Sequence, residues 1–256
     1  MLHQWLHKNV PRSDDDRAVI KRSWLEAAVD AHITLAAKGV NLEGARSVGY
    51  DVADSGEDKN AVAVFNGTIC EHVEDWKAPE DELRQSTIRA WSWVGSGRLI
   101  YDAIGVGAHV GSTLGDMGKQ GFYKFLASGA VIEPKQEYAK DIKNGEKFEN
   151  LKAQAWQDVA DRLRNTYNAI NKGETFNASD MISISSNIKE KDIERLKSEL
   201  ASPRKRFSKR GLDMVESKDE MAKRGIKSPN LADAFIMGAC PHLVDVTELP
   251  NFSIKF

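Results

Sequence analysis

Three aspartates lie at the ends or starts of apolar segments in this sequence. Asp51 closes the segment 46–50 (RSVGY), and Asp102 closes the segment 98–101 (RLIY). Asp233 falls within the first turns of a predicted helix. Carboxylates that share a site repel each other, and a cation between them relieves that repulsion. If the three elements are adjacent, the sequence predicts a site for divalent metal ions, and phosphodiester chemistry is typical of such a site.

The pattern from residue 46 onward predicts a mixed β-sheet that would bring two of these aspartates together. Predicted strands lie at 48–52, 61–65, 68–73, 99–101 and 123–126. The first three form an antiparallel meander with a hairpin turn at Asn66-Gly67, and Pro79 opens a helix that leads to the fourth strand. With the fourth strand beside the first, Asp51 and Asp102 become neighbours, with Cβ atoms about 5 Å apart. The helix that carries Asp233 must then pack against the same edge.

The rest of the chain is predicted to be mainly helical, with one polar excursion. Predicted helices lie within 1–40 (capped near 13–16), after Pro79 (with Leu83, Ile88, Ala90 and Trp91 on one face), and at 105–114, 150–172, 192–200 and 218–223. Short strands are predicted at 182–184 and 214–215, and the lysine-rich segment 133–147 is predicted to be exposed. The helix at 150–172 is amphipathic, with an apolar stripe that runs from Leu151 to Tyr167.

The composition is that of a soluble globular protein. The chain has 256 residues, of which 41% are hydrophobic and 29% charged. We expect neither a membrane span nor a signal peptide, because the sequence has no apolar run of about 20 residues. Two cysteines give no disulfide framework, so we expect a reducing compartment.

One short segment is rich in positive charge. The net charge of −2 does not attract polyanions, so nucleic-acid binding would require a local basic patch. The candidate is the segment 204–210 (RKRFSKR), with Arg204, Lys205, Arg206, Lys209 and Arg210. The alternative interpretation is a solvated hairpin or loop.

Two Cys-x-His pairs raise the question of a zinc site. They are Cys70 with His72 and Cys240 with His242. Structural zinc usually takes ligands two to four residues apart in rigid knuckles, and the sequence does not bring the two pairs together. We therefore predict no zinc site, and the role of both pairs stays open.

Five segments together resemble the nuclease domain of the large terminase subunit of tailed, headful-packaging bacteriophages. Their order and spacing match over residues 20 to 240 or so. The segments are 49–54 (GYDVAD), 101–108 (YDAIGVGA), 150–156 (NLKAQAW), 216–221 (ESKDEM) and 224–234 (RGIKSPNLADA).

The resemblance implies an α/β fold of the RNase H-like superfamily, in which three antiparallel strands are followed by parallel strands and helices flank the sheet. It implies a divalent-metal-dependent endonuclease that cleaves double-stranded, concatemeric viral DNA during genome packaging. Two Mg²⁺ or Mn²⁺ ions would be held by Asp51 on both, Asp102 on one and Asp233 on the other. Asp54 is either a turn residue or a metal ligand that acts through water, and Lys218 is either a surface lysine or a group that balances charge or contacts a phosphate.

The resemblance also implies partners and a division of the chain. The segment 115–121 (GDMGKQG) lacks the Walker A spacing, so we expect the nuclease half alone, without motor activity. Residues 1–40 would be a helix or linker remnant from an ATPase domain, 41–245 the nuclease domain, and 246–256 a tail. Expected partners are double-stranded DNA, the ATPase domain of the same subunit, the portal and the small terminase subunit, and no membrane. The expected location is the host cytoplasm, outside the virion.

Two other functions remain open on the sequence alone. Another RNase H-like nuclease, such as a junction resolvase or an RNA–DNA hybrid nuclease, would use the same carboxylates. A non-catalytic module that docks DNA or a portal would have no reason to cluster repelling aspartates. The sequence leaves the cleavage preference, the oligomeric state and the choice between Mg²⁺ and Mn²⁺ open.

Overall fold

A computed structural model describes residues 15–53, 59–77 and 83–244 of the chain. The strands in these residues are β1 (Arg46–Asp51), β2 (Asn60–Asn66), β3 (Ile69–Trp76), β4 (Arg98–Asp102), β5 (Phe122–Phe125), β6 (Glu137–Ala139), β7 (Ile142–Lys143), β8 (Ser183–Ile184), β9 (Lys205–Phe207) and β10 (Asp213–Val215). The α-helices are α1 (Arg22–Ala28), α2 (Ala31–Ala36), α3 (Leu83–Trp91), α4 (Val110–Asp116), α5 (Asn144–Lys147), α6 (Leu151–Asn171), α7 (Glu190–Ala201), α8 (Lys218–Lys223) and α9 (Asn230–Ala239). Short 3₁₀ helices lie at Gly105–His109, Ala178–Asp180 and Pro241–Leu243.

A six-stranded mixed sheet forms the centre of the fold, in the order β5-β4-β1-β2-β3-β8. Strands β1, β2 and β3 form an antiparallel meander, and β4 and β5 continue the sheet parallel to β1. The β2–β3 hairpin turns at Gly67, whose φ of 63° is a conformation that favours glycine. The predicted mixed sheet, its hairpin and the placement of the fourth strand beside the first are therefore confirmed.

The two faces of the sheet bury separate cores because side chains alternate along each strand. One face packs Val48, Tyr50 and Tyr101 against α3 and α4. The other face packs Phe65 and its neighbours against α1, α6, α7 and α9. Asp51 shares this second face with Gly49, two residues earlier on β1, and so points toward the α9 side of the sheet.

Helix α6 has the predicted amphipathic stripe. Its N-cap Asn150 accepts a hydrogen bond from the Ala153 N–H at 2.9 Å. Residues Leu151, Ala155, Val159 and Leu163 are buried, and Tyr167 is half-buried.

Several predicted helices differ from those observed. The described part of 1–40 holds two short helices, and the first begins at Arg22 after Lys21, beyond the predicted cap near 13–16. Leu25 is fully buried in the core, so this part of the chain packs on the domain. The predicted helix at 105–114 is a 3₁₀ turn followed by α4. Ile88 was predicted to face the core but is 42% exposed, and Pro79 lies outside the described residues.

The segment 133–147 is largely exposed, as predicted, and carries the small β6–β7 hairpin and α5. Within the described ranges, no helix combines the length and apolar content that crossing a bilayer requires.

Candidate active site

Asp51 and Asp102 lie together at one edge of the sheet. Strands β1 and β4 are parallel and paired up to Tyr50 opposite Tyr101, so both aspartates follow at the carboxyl ends of neighbouring strands. Asp51 is buried, with 3% of its surface exposed. Asp102 is half-buried, and its Oδ1 accepts a hydrogen bond from the Ile104 N–H at 3.0 Å. The adjacency predicted from the sequence is observed.

A glycine contact brings Asp233 to the same edge. Gly49 faces α9 so closely that a Cβ on it would lie 1.9 Å from the Ala234 carbonyl oxygen. The backbone of α9 therefore rests directly on β1, and the Ser47 hydroxyl donates to the Gly238 carbonyl at 2.7 Å. Asp233 precedes Ala234, so this contact fixes the helical carboxylate beside the end of β1. Its side chain is 14% exposed.

The three carboxylates are close enough to repel each other. Burial is the main cause that raises the pKa of Asp51 well above its usual value, and the charges of Asp233 and Asp102 raise it further, against Lys218. Burial also raises the pKa of Asp102, with Asp233 contributing and the Ile104 N–H opposing. The structure thus concentrates negative charge in a partly dehydrated position, as expected for a cation site.

Two lysines supply positive charge at this cluster. The Lys218 Nζ, at the start of α8, lies 3.5 Å from Oδ2 of Asp233, and the Lys152 Nζ, in the first turn of α6, lies 3.9 Å from Oδ1. Burial opposes the charge on Lys218, but attraction to Asp51, Asp233 and Asp102 outweighs it and raises the pKa of Lys218 above its usual value. The sequence predicted Lys218 near the site. Lys152 was missed as a site residue, although it lies in the matched segment 150–156.

The cluster opens into a cleft of about 430 Å³, a volume typical of ligand sites. Its polar lining comes from both sides of the cluster, and its apolar lining comes from β5, β10, α6, α9 and the turn after β4. The polar residues are Asp102, Asn150, Lys152, Ser217, Lys218 and Asp233, and the apolar ones include Ile104, Phe125, Trp156, Met214, Ile236 and Met237.

The donor set has the chemistry that Mg²⁺ or Mn²⁺ requires. Every candidate ligand is a carboxylate oxygen, which both ions prefer, and the repulsion around Asp51 is the kind that a cation relieves. In the part of the chain that the structure describes, no group of three acidic, histidine or cysteine side chains is already arranged around a common point. The ammonium groups of Lys152 and Lys218 lie against Asp233 instead. Metal binding at Asp233 would therefore require its carboxylate and these two ammonium groups to separate.

The predicted basic segment is largely neutralised by ion pairs. It forms the β9–β10 hairpin, as the alternative interpretation proposed. Its arginines pair with acidic residues outside the segment: Arg204 with Asp15 at 2.8 Å, Arg206 with Glu216 at 2.7 Å, and Arg210 with Glu149 at 3.0 Å. Lys205 and Lys209 make no salt bridge to any residue that the structure describes. The DNA-binding role of the five cations stays a prediction; Phe207, between the two lysines, is 71% exposed.

The remaining sequence candidates stay apart from the cluster or outside the description. Asp54 lies outside the described residues. Cys70 and Cys240 are free and buried. The two histidines have separate carboxylate neighbours, since His72 Nε2 lies 3.9 Å from Glu74 and His242 Nε2 lies 3.4 Å from Asp158. The described residues thus give no support to a zinc site.

The sheet order and the acidic edge define an RNase H-like nuclease fold of the terminase type. Solved structures similar to this chain come from the large terminase subunit gp2 of bacterial virus Sf6. Its nuclease domain is 32% identical, with 88% of this chain and 99% of that chain covered and a TM-score of 0.78. A lysine-to-alanine variant of that domain with manganese and β-thujaplicinol is 31% identical over 88% of this chain and 99% of that chain, with a TM-score of 0.80. A variant with calcium is also 31% identical, over 88% and 100%, with a TM-score of 0.77.

The chain therefore belongs to the family of nuclease domains of large terminase subunits of bacterial viruses. No protein-family model and no curated protein sequence matches it.

Proposed function

We propose that this chain is a metal-dependent endonuclease that cuts double-stranded, concatemeric viral DNA during genome packaging. The observation that carries the proposal is the buried Asp51 flanked by Asp102 and Asp233 at the edge of an RNase H-like sheet, where Asp102 and Asp233 line an open cleft. A structural role does not explain the arrangement, since it costs both burial and repulsion of charge. The same cost argues against a module that only docks DNA or a portal, because such a module has no need for clustered carboxylates.

The cofactor that fits is a pair of Mg²⁺ or Mn²⁺ ions. Asp51 would hold both ions, Asp102 one and Asp233 the other. Two divalent ions held by these residues would supply Lewis-acid activation of the attacking water and would offset negative charge on the phosphate. The manganese and calcium seen with the Sf6 relatives support this choice.

The protein's own groups would bind and orient the substrate. Lys152 and Lys218 would attract the scissile phosphate toward the carboxylates, and both ammonium groups would stabilise the additional negative charge that develops on it. The apolar wall around Trp156 and Met237 lowers the local dielectric, which strengthens these interactions. Lys205 and Lys209 on the exposed hairpin would contact the DNA backbone without reading sequence.

The proposed setting follows the family. The chain would act with an ATPase domain of the same subunit, the portal and the small terminase subunit, in the host cytoplasm during packaging. Within the described residues, the nuclease domain would include α1 and α2 as well as the chain from residue 41, because Leu25 and Leu35 are buried in its hydrophobic clusters.

The test compares Asp51→Asn with Asp219→Asn. Asp219 is an exposed carboxylate on α8 and serves as the matched control. We expect Mn²⁺- or Mg²⁺-dependent cutting of linear duplex DNA by the wild type and by Asp219→Asn, and at least a 100-fold loss in Asp51→Asn with an unchanged circular dichroism spectrum. Undiminished cleavage by Asp51→Asn would contradict the assignment of Asp51 as a metal ligand.

The same assay separates the other functions when it includes a four-way junction and an RNA–DNA hybrid. If either of these substrates is cleaved as fast as linear duplex DNA or faster, the result would favour a different RNase H-like nuclease. Salt-dependent DNA binding without any metal-dependent cleavage would favour the docking module.

A further inference from the structure

Helix α9, which carries Asp233, has no N-terminal cap of its own. The residue before it is Pro229, which makes no side-chain cap hydrogen bond. The first N–H groups of a helix have no partner inside the helix, and here the residues that carry them are buried. Something outside α9 must satisfy these donors.

The partner is a carboxylate from another helix. Glu199, near the end of α7, accepts hydrogen bonds from the Leu231 N–H at 2.7 Å and the Ala232 N–H at 3.2 Å, both to Oε2. Ala232 is the residue directly before Asp233. A negative charge at this position also interacts favourably with the positive end of the helix dipole. Glu199 therefore caps α9 one residue away from the acidic cluster.

Glu199 is itself anchored to the central sheet. Its Oε1 accepts from Arg195 Nε at 3.1 Å, and Arg195 Nη1 donates to Oδ1 of Asp75 on β3 at 3.0 Å. Lys59, just before β2, lies 2.6 Å from the other oxygen of Asp75. The Glu199 side chain is 18% exposed. This chain of ion pairs fixes the cap relative to β3, in the same sheet as the strand that carries Asp51.

We propose that Glu199 is a positioning residue that holds the first turn of α9 so that the Asp233 carboxylate faces Asp51. The inference rests on the proposed function, because it assigns Asp233 to the metal site. Without the Glu199 carboxylate, two buried N–H groups lose their acceptor, and water must enter the first turn to replace it. The Gly49 contact to α9 begins at Ala234, so the preceding turn, which contains Asp233, is the part of the helix that depends most on the cap. A displacement of about 1 Å at such a site lowers the rate about 100-fold.

The experiment compares Glu199→Ala, Glu199→Gln and Glu194→Ala. The glutamine keeps an acceptor oxygen in the same place and tests rescue. Glu194 is the matched control, because it lies on the same helix and forms ion pairs with Arg22 and Lys197, remote from α9. The measurements are amide hydrogen exchange in α9, Mn²⁺ affinity by calorimetry, and kcat and KM for cleavage of linear duplex DNA.

We expect Glu199→Ala to speed exchange at Leu231, Ala232 and Asp233 at least tenfold, to weaken Mn²⁺ binding at least tenfold, and to lower kcat with KM for DNA changed less than twofold. Glu199→Gln should keep exchange and Mn²⁺ affinity within about threefold of wild type, and Glu194→Ala should match the wild type.

A Glu199→Ala protein that is less stable yet binds Mn²⁺ as tightly as wild type would overturn the inference. If that variant does not fold, Glu199→Gln decides: exchange in α9 and Mn²⁺ affinity both within about threefold of wild type support the cap, and Mn²⁺ affinity at least tenfold weaker with unchanged exchange overturns it. Faster exchange in α9 at unchanged Mn²⁺ affinity overturns it.

The two proposals fail separately. Wild-type protein that binds Mn²⁺ without cutting any substrate contradicts the proposed function, and the Mn²⁺ affinities of the variants still decide the role of Glu199. If the wild type binds no Mn²⁺, the proposed function fails, and unchanged exchange at Asp233 in Glu199→Ala would then reject the positioning role as well.

Discussion

Replacement of Gly49 by alanine should separate the helical carboxylate from the strand carboxylate. The added Cβ would lie 1.9 Å from the Ala234 oxygen and 2.4 Å from the Gly238 nitrogen, whereas real Cβ atoms keep at least 3.0 Å. Helix α9 would have to retreat by about 1 Å, because both obstructing atoms are backbone and neither can rotate away. Asp233 moves with the helix, while Asp51 stays on β1.

This displacement of α9 should change both the free energy of unfolding and kcat. Overpacking of this kind costs about 1–3 kcal/mol of unfolding free energy. A 1 Å displacement of one carboxylate should lower kcat about 100-fold, which is more than the loss of stability explains in a protein that is still folded. Urea unfolding gives the first number, and metal-dependent cleavage at 25 °C gives the second.

The matched control is Gly115→Ala. Gly115 lies in α4, with nothing within 4 Å of its added Cβ. Alanine there should raise helix stability by up to about 1 kcal/mol and leave cleavage unchanged. If Gly49→Ala loses no more activity than Gly115→Ala while its crystal structure keeps α9 in place, the reasoning about helix placement is refuted.

Three further predictions follow from the charges in and around the site. Lys218→Ala removes a counter-charge from the carboxylates, so Mn²⁺ should raise its melting temperature more than that of wild type in a thermal shift assay, and equal shifts would argue against this role. Burial raises the pKa of Glu199 to about 7 against Arg195, so its contribution to stability is present below the unfolded pKa near 4.5 and is lost as pH rises through 7. Urea unfolding from pH 5 to 8 should therefore show the unfolding free energy of the wild type falling by up to about 3 kcal/mol relative to that of Glu199→Gln. Parallel pH dependences of the two unfolding free energies would contradict this prediction. Lys205→Ala and Lys209→Ala should each lower, by about 1, the slope of the logarithm of DNA affinity against the logarithm of salt concentration. Arg206→Ala removes a partner of the buried Glu216, so it should lower the free energy of unfolding by about 1–3 kcal/mol and leave that slope unchanged.

The sheet and two of the three carboxylates were predictable from local sequence. Strand alternation and the Asn66-Gly67 turn define the meander, and an aspartate directly after a buried strand must lie at the sheet edge. Asp233 was predictable only as part of the matched segment 224–234, because its distance from β1 depends on the Gly49 contact. A glycine inside a strand is a signal of close backbone approach, and Gly49 was open to that interpretation.

The residues that sequence reasoning missed act through long-range contacts. Lys152 reaches Asp233 because α6 begins beside α9, and Glu199 caps a helix that starts more than thirty residues later. The ion pairs of the basic segment were missed for a similar reason, since its arginines pair with Asp15, Glu149 and Glu216, which lie outside the segment. Local pattern carries no information about such partners.

The most direct test of the metal site is the anomalous diffraction of a crystal soaked in MnCl₂. The account predicts manganese peaks about 2.2 Å from carboxylate oxygens of Asp51, Asp102 and Asp233, with the Asp233 carboxylate turned away from Lys152 and Lys218. A map from crystals of cleavage-competent protein that shows no manganese at these three carboxylates would contradict it.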